Sequence, residues 1–159
     1  MNTNHKRDVL KINGGVRFII VDQPVGQPGF VSAINGTVTR FGMAADAGSH
    51  GFLEHSYAGG KAFSLLALDD LIEYIPAVGR SVEYKVVEIA KVQAVRPKSQ
   101  HSDFLDLADG RRFTSGQLFD RIYGGPHKLV LQTCIEKGNI DSWGRLFVIA
   151  SPKGDQWLT

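Results

Sequence analysis

Apolar residues along the chain either alternate with polar ones or run in short β-branched blocks, and turn residues recur between the blocks. That pattern predicts many short strands rather than long helices. Val9 to Ile12 and Arg17 to Val21 read as two strands around Asn13-Gly14-Gly15. Phe30 to Ile34 and Thr37 to Phe41 flank Asn35-Gly36, a strong two-residue hairpin signal. Gly42 to Gly51 reads as an irregular loop, Phe52 to His55 as a short strand and Ser56 to Lys61 as a loop. Phe63 to Leu68 predicts a helical turn before the strand Leu71 to Ile75. Ser81 to Val95 is the clearest extended segment. Its core phase changes from Val82, Tyr84, Val86 to Ile89, Lys91, Gln93, which predicts a bulge near Val87.

Phe104 to Leu107 and Arg111 to Phe113 flank Asp109-Gly110, a second hairpin candidate. Ser115 to Tyr123 is the best helix, with Ser115 as cap, Leu118, Phe119 and Ile122 on one face, and Gly124-Gly125-Pro126 ending it. Lys128 to Cys134 and Arg145 to Ala150 are apolar strands separated by a polar, Gly-containing loop. So many strands need protected edges, so the expectation is one mainly-β domain over residues 1–159, closed into a barrel, with one or two short helices.

Composition narrows the function. Lys plus Arg number 18 and Asp plus Glu 16, a formal charge of only +2, and the basic residues are scattered. The concentrated cationic face of a nucleic-acid binder is missing. No run approaches the roughly 18 to 20 apolar residues of a membrane span, and Met1 to Asp8 leads into no signal-peptide core, so the chain reads as soluble. One cysteine excludes an intrachain disulfide and any multi-cysteine metal site.

That cysteine sits in suggestive company. Cys134 ends a predicted strand at a loop mouth and Arg145 begins the next, so pairing of the two strands brings a guanidinium to the thiol. Upstream, His55 ends another strand before Ser56-Tyr57-Ala58-Gly59-Gly60-Lys61, whose glycines leave room for a substrate backbone. A thiol becomes nucleophilic on deprotonation, which nearby positive charge or imidazole promotes, and histidine can hand a proton to a leaving amine. These parts suit acyl transfer.

The same residues carry a resemblance to a known family. Val130-Leu131-Gln132-Thr133-Cys134 resembles the sortase nucleophile motif Thr-Leu-any-Thr-Cys, and Arg145-Leu146-Phe147-Val148 resembles the strand bearing the family's arginine. His55, with Gly59-Gly60 and Phe63-Ser64-Leu65 downstream, is similar to the histidine region, and Asp69 to Tyr74 continue the likeness. The resemblance covers about His50 to Ala150. It implies an eight-stranded barrel acting at the cell surface, outside the membrane, without a cofactor. The implied reaction cleaves an LPxTG-like sorting signal through a thioester that an amine resolves. Cys134 would attack, His55 would protonate the leaving amine, Arg145 would hold peptide and oxyanion, and Thr133 would line that pocket. The partners would be the sorting-signal peptide and an amine nucleophile.

Three positions depart from the pattern: Val130 replaces the first motif threonine, Phe52-Leu53-Glu54 precede the histidine, and the family's N-terminal anchor is not seen. A catalytically idle binding module of the same fold and a cysteine peptidase that only hydrolyses therefore stay open. His50 rivals His55 as the active histidine, although the Gly-Gly-any-Phe-Ser pattern is in register with His55. Asp46 and Glu54 could hold Ca²⁺, but nothing marks a metal site. His5, His101 and His127 read as solvated.

Overall fold

The computed structural model describes residues 7–99 and 101–154, so His5 lies outside the described residues. Strands β1 (Val9–Ile12), β2 (Val16–Asp22), β3 (Thr37–Arg40), β4 (His50–Glu54), β5 (Leu71–Ile75) and β6 (Val82–Ala94) come first, followed later by β9 (Leu129–Lys137) and β10 (Ile140–Pro152). These eight pair in the order β10-β9-β4-β3-β2-β1-β5-β6, and β6 returns to β10. The expected eight-stranded barrel is closed. A hairpin of β7 (Phe104–Asp106) and β8 (Arg112–Phe113) extends the sheet from β6. Three short helices accompany it: α1 (Gly42–Asp46), α2 (Gly60–Ser64) and α3 (Ser115–Tyr123).

The barrel interior collects buried side chains from all eight ring strands, among them Leu10, Phe18, Val38, Phe52, Ile72, Tyr84, Leu131 and Val148. A second apolar layer lies outside, where Leu118, Ile122 and Tyr123 of α3 cover Val92, Phe104, Val130, Phe147 and Ile149. The continuous apolar runs of β9 and β10 follow from this. Leu129 and Leu131 face the interior and Val130 faces the helix layer, so both faces are buried and no polar alternation is needed. Thr114, one residue before the expected cap, caps α3 in a reciprocal capping box with Gln117.

Several local expectations are corrected. Phe30 to Ile34 is not a strand and Asn35-Gly36 joins no hairpin, because β2 and β3 pair in parallel, with Ile19 opposite Thr37. Parallel neighbours need a crossover, which the Pro- and Gly-rich residues 23–36 supply. The presumed loop Gly42 to Gly51 contains α1 and the start of β4, and the helical turn expected at Phe63 to Leu68 forms earlier, as α2. The loop expected between Cys134 and Arg145 is mostly paired strand, with β9 running to Lys137 and β10 starting at Ile140. The predicted bulge is found: opposite β10, the register steps from Glu88 to Val86 between Ile149 and Ala150, passing over Val87.

At the β1–β5 end the interior is polar but satisfied. Arg40 donates to Asp22 at 2.7 Å and is also bonded to Asp8 and the Tyr74 hydroxyl. His127, expected in solvent, instead donates from Nδ1 to the Gly48 carbonyl at 2.7 Å, leaving Nε2 to accept from the Tyr84 hydroxyl at 2.7 Å. His50 stacks on Tyr74 with ring centres 4.4 Å apart and meets His127 edge-on. Burial, with the neighbouring His127 and Arg40, lowers its pKa to about 4. The unfolded chain takes up that proton near pH 6.5, so it binds more protons than the fold between about 6.5 and 4. Stability contributed by neutral His50 is therefore lost as pH falls through that window. The melting temperature of His50→Phe is expected to rise relative to that of the wild type as pH falls from 6.5 to 4, because only the wild type loses the His50 contribution. Parallel curves for the two proteins would show that His50 does not drive the acid limb.

Candidate active site

Two registers bring the sequence-selected residues to one end of the barrel. β9 lies between parallel β4 and antiparallel β10. Glu54 of β4 is opposite Thr133, and Arg145 of β10 is opposite Cys134. Directly opposed residues of an antiparallel pair project from the same face, so Cys134 and Arg145 share a face of the sheet. His55 is the first residue beyond β4, next to the Glu54–Thr133 pair. His50, at the other end of β4 opposite Leu129, is turned into the aromatic cluster and is removed from the cysteine.

The side chains have definite resting partners. Cys134 is a half-buried free thiol. His55 Nε2 donates to the Val31 carbonyl of the crossover loop at 3.2 Å, and its ring stacks on Tyr57 at 4.9 Å. Since a carbonyl only accepts, Nε2 carries a proton and Nδ1 is left without a partner from this bond. Arg145 Nη1 donates to the carbonyls of Ser142 at 3.1 Å and Gly144 at 2.9 Å, while its guanidinium lies over the Phe104 ring. A pocket of about 460 Å³ opens beside Cys134 and Thr133, with Tyr57, Lys61, Lys91 and Glu136 around it. His55 and Arg145 lie outside its lining.

Thr133 is buried and donates its hydroxyl to the Glu54 carbonyl at 2.7 Å, tying β9 to the end of β4. The two glycines after His55 have steric reasons. A Cβ on Gly60 would lie 2.3 Å from the Thr133 hydroxyl and 2.6 Å from the His55 carbonyl, and one on Gly59 would lie 2.7 Å from the Glu54 carboxyl.

Glu54 is the residue that sequence reasoning undervalued. It is only 4% exposed, and its carboxyl accepts from the backbone N–H of His55 at 2.9 Å and from that of Gly59. Burial raises its pKa to about 7 against the opposing pull of those two N–H groups. The signal was present in the period of two: Glu54 shares the inward face of β4 with Phe52. Among the described residues, no three His, Cys, Asp or Glu side chains converge as a metal site.

With this geometry in hand, comparison with solved structures is informative. The chain is similar to sortase C-1 from Actinomyces oris, with a TM-score of 0.61 and 13% identity over 92% of this chain and 71% of that one. It is also similar to the Clostridium perfringens sortase D5 transpeptidase, with a TM-score of 0.58 and 14% identity over 94% and 79% of the two chains. Listeria monocytogenes sortase A matches with a TM-score of 0.57 and 10% identity over 92% and 86%. No family model and no curated protein matches by sequence. The chain therefore has the sortase fold, and that fold supports the sortase resemblance of its motifs.

The packing of the glycine loop is directly testable. Gly60→Ala is expected to destabilise the protein by about 1–3 kcal/mol, because the methyl group must displace backbone as well as the Thr133 hydroxyl. Denaturant unfolding measures this. A wild-type midpoint would mean that the loop yields freely.

Proposed function

We propose that this protein is a cysteine transpeptidase of the sortase type, with Cys134 as nucleophile, His55 as proton-transfer residue and Arg145 as donor to the oxyanion. The observation that carries this reading is the opposition of Cys134 and Arg145 across β9 and β10, with His55 at the end of the adjoining strand, on a sortase fold. The whole described barrel serves as a single catalytic domain.

In the proposed reaction the Cys134 thiol gives its proton to His55, and the thiolate attacks the carbonyl carbon of a peptide bond in an LPxTG-like signal. The tetrahedral oxyanion is stabilised by Arg145 donors, and collapse expels the amine, which takes a proton from His55. The resulting thioester joins peptide and enzyme. An incoming amine attacks it, gives up its proton to His55 and releases the cysteine. Thr133 supports the pocket wall through its bond to the Glu54 carbonyl. The substrates are thus a surface-protein sorting signal and an amine acceptor, and the setting is the cell surface.

Cys134→Ala is expected to abolish cleavage of a sorting-signal peptide, because no acyl-enzyme can form, whereas Thr133→Ala should weaken it. Ligated product should appear only when an amine is supplied. Hydrolysis alone would make the protein a peptidase, and inactivity of the wild type with every peptide would favour a non-catalytic binding module.

Arg145→Lys keeps the charge but loses the planar, multi-donor fork, so kcat/KM is expected to fall on the order of 10²-fold. His55→Ala should also lose turnover while Cys134 still reacts with iodoacetamide, since alkylation needs no leaving-group proton. Near-wild-type turnover of Arg145→Lys would remove Arg145 from the oxyanion role.

A further inference from the structure

The transpeptidase reading leaves one buried acid beside the site without a task. We propose that Glu54 is a positioning residue of this site, whose carboxylate grips the backbone that carries His55 and thereby holds the histidine beside Cys134. The inference rests on the proposed function above.

The geometry is specific. Glu54 is the last residue of β4, so its own backbone is fixed by pairing with β9 and by the Thr133 hydroxyl on its carbonyl. Its carboxyl then reaches forward to the N–H of His55 and to the N–H of Gly59, bracketing the turn that holds the histidine. The same turn is closed on itself by backbone bonds from Ala58 and Gly60 to the His55 carbonyl, at 3.1 and 3.0 Å. The backbone of His55 is thus held from both sides. Glycine at position 59 lets this happen, since a side chain there would occupy the space of the carboxyl and of Phe18.

Among the described residues the carboxyl has no ion-pair partner to fix its state. Phe18 of β2 and the carboxyl both crowd Gly59, Thr133 of β9 bonds the Glu54 main-chain carbonyl, and the loop offers N–H groups. Arg40 of β3, opposite Phe52, is already paired with Asp8 and Asp22. The titratable groups that follow on these elements include the His55 ring, Cys134 beside Thr133, and Lys61 on α2, and none of them is among the causes of the raised Glu54 pKa. Hydrogen bonds to an ionised carboxylate are roughly twice as strong as those to a neutral acceptor. The grip on His55 therefore tightens as Glu54 ionises, near pH 7.

Stability runs the other way. Glu54 ionises near 4.5 in the unfolded chain and near 7 in the fold, so its contribution to stability is complete below about 4.5 and is lost as pH rises through 7. A carboxyl with a purely structural role would bring activity down with stability. A positioning carboxylate makes activity rise where stability falls.

The test compares wild type with Glu54→Gln, which keeps the shape but cannot ionise. In wild-type protein the Gly59 amide resonance is expected to titrate with a midpoint near pH 7, and in Glu54→Gln that titration is expected to vanish. With a sorting-signal peptide, kcat/KM of the variant should match the wild type at pH 6 and fall about tenfold below it at pH 8, through kcat rather than KM. Its melting temperature should meanwhile rise relative to that of the wild type as pH increases from 4.5 to 7. Turnover with the same pH profile in both proteins, or a wild-type Gly59 amide that does not titrate, would overturn the positioning role alone. A wild type with no turnover at any pH would overturn the transpeptidase reading and this role with it. Should the variant not fold, the wild-type Gly59 titration still decides.

Discussion

β9 is paired along both edges and covered on both faces, and the placement of every candidate functional residue depends on that confinement. A strand with one free edge or one solvated face can slip, and a slip of one residue exchanges its faces. Here Leu129 and Leu131 are locked into the barrel while Val130 is locked under α3. A slip would mispack both layers and carry Gln132, which accepts from the Tyr123 hydroxyl, into the barrel interior. The thiol two turns of the pleat further on inherits that register, with Arg145 opposite it on one side and the end of β4 on the other. Apolar burial remote from the chemistry thus determines where the chemistry can occur.

The two ends of β4 carry the opposite electrostatic burdens of a narrow barrel. His50 at one end is kept neutral by burial and loses stability in acid, whereas Glu54 at the other is kept protonated by burial and loses stability as pH rises. Between about pH 4.5 and 6.5 the two slopes oppose and offset each other. The ends differ in purpose. His50 is packed among Phe52, Tyr74, Tyr84 and His127 with its ring surrounded by other rings, an arrangement suited to filling space. Glu54 is aimed at backbone donors of the segment that carries His55, and a buried acid is an expensive way to fill space.

Much of this was legible because the relevant signals were local. The phase break at Val87, the Asp109-Gly110 hairpin and the amphipathic helix over Leu118 and Ile122 each express their conformation within a few residues. The Thr-Cys and Arg motifs likewise sit on short contiguous runs. What failed was non-local. Asn35-Gly36 does turn the chain, with Gly36 at φ +78°, but partner choice is decided by β2, fifteen or so residues away. Glu54 was read only as a departure before the histidine and a possible Ca²⁺ ligand, because its meaning depends on Gly59 N–H and on the closed barrel around it, neither of which a single-strand pattern displays. The same holds for His127, whose loop position hides its bonds to Tyr84 and Gly48.

The resting side chains show where the remaining freedom lies. His55 Nε2 is held by the Val31 carbonyl, and Arg145 Nη1 by two carbonyls near the start of its own strand segment. Exchanging the His55 bond for another neutral hydrogen bond is worth about 1 kcal/mol in either direction, and a bond from the charged Arg145 guanidinium about 1.5–3 kcal/mol. Moving the backbone would instead break paired ladders and a packed core, at many times that cost. Rotamer changes of His55 and Arg145 are therefore accessible where changes of register are not. The division of labour follows: the β4–β9–β10 ladder fixes the backbone positions of Cys134, Arg145 and the strand end before His55, the Glu54 carboxyl holds the His55 N–H, and the side chains of His55 and Arg145 keep their rotations.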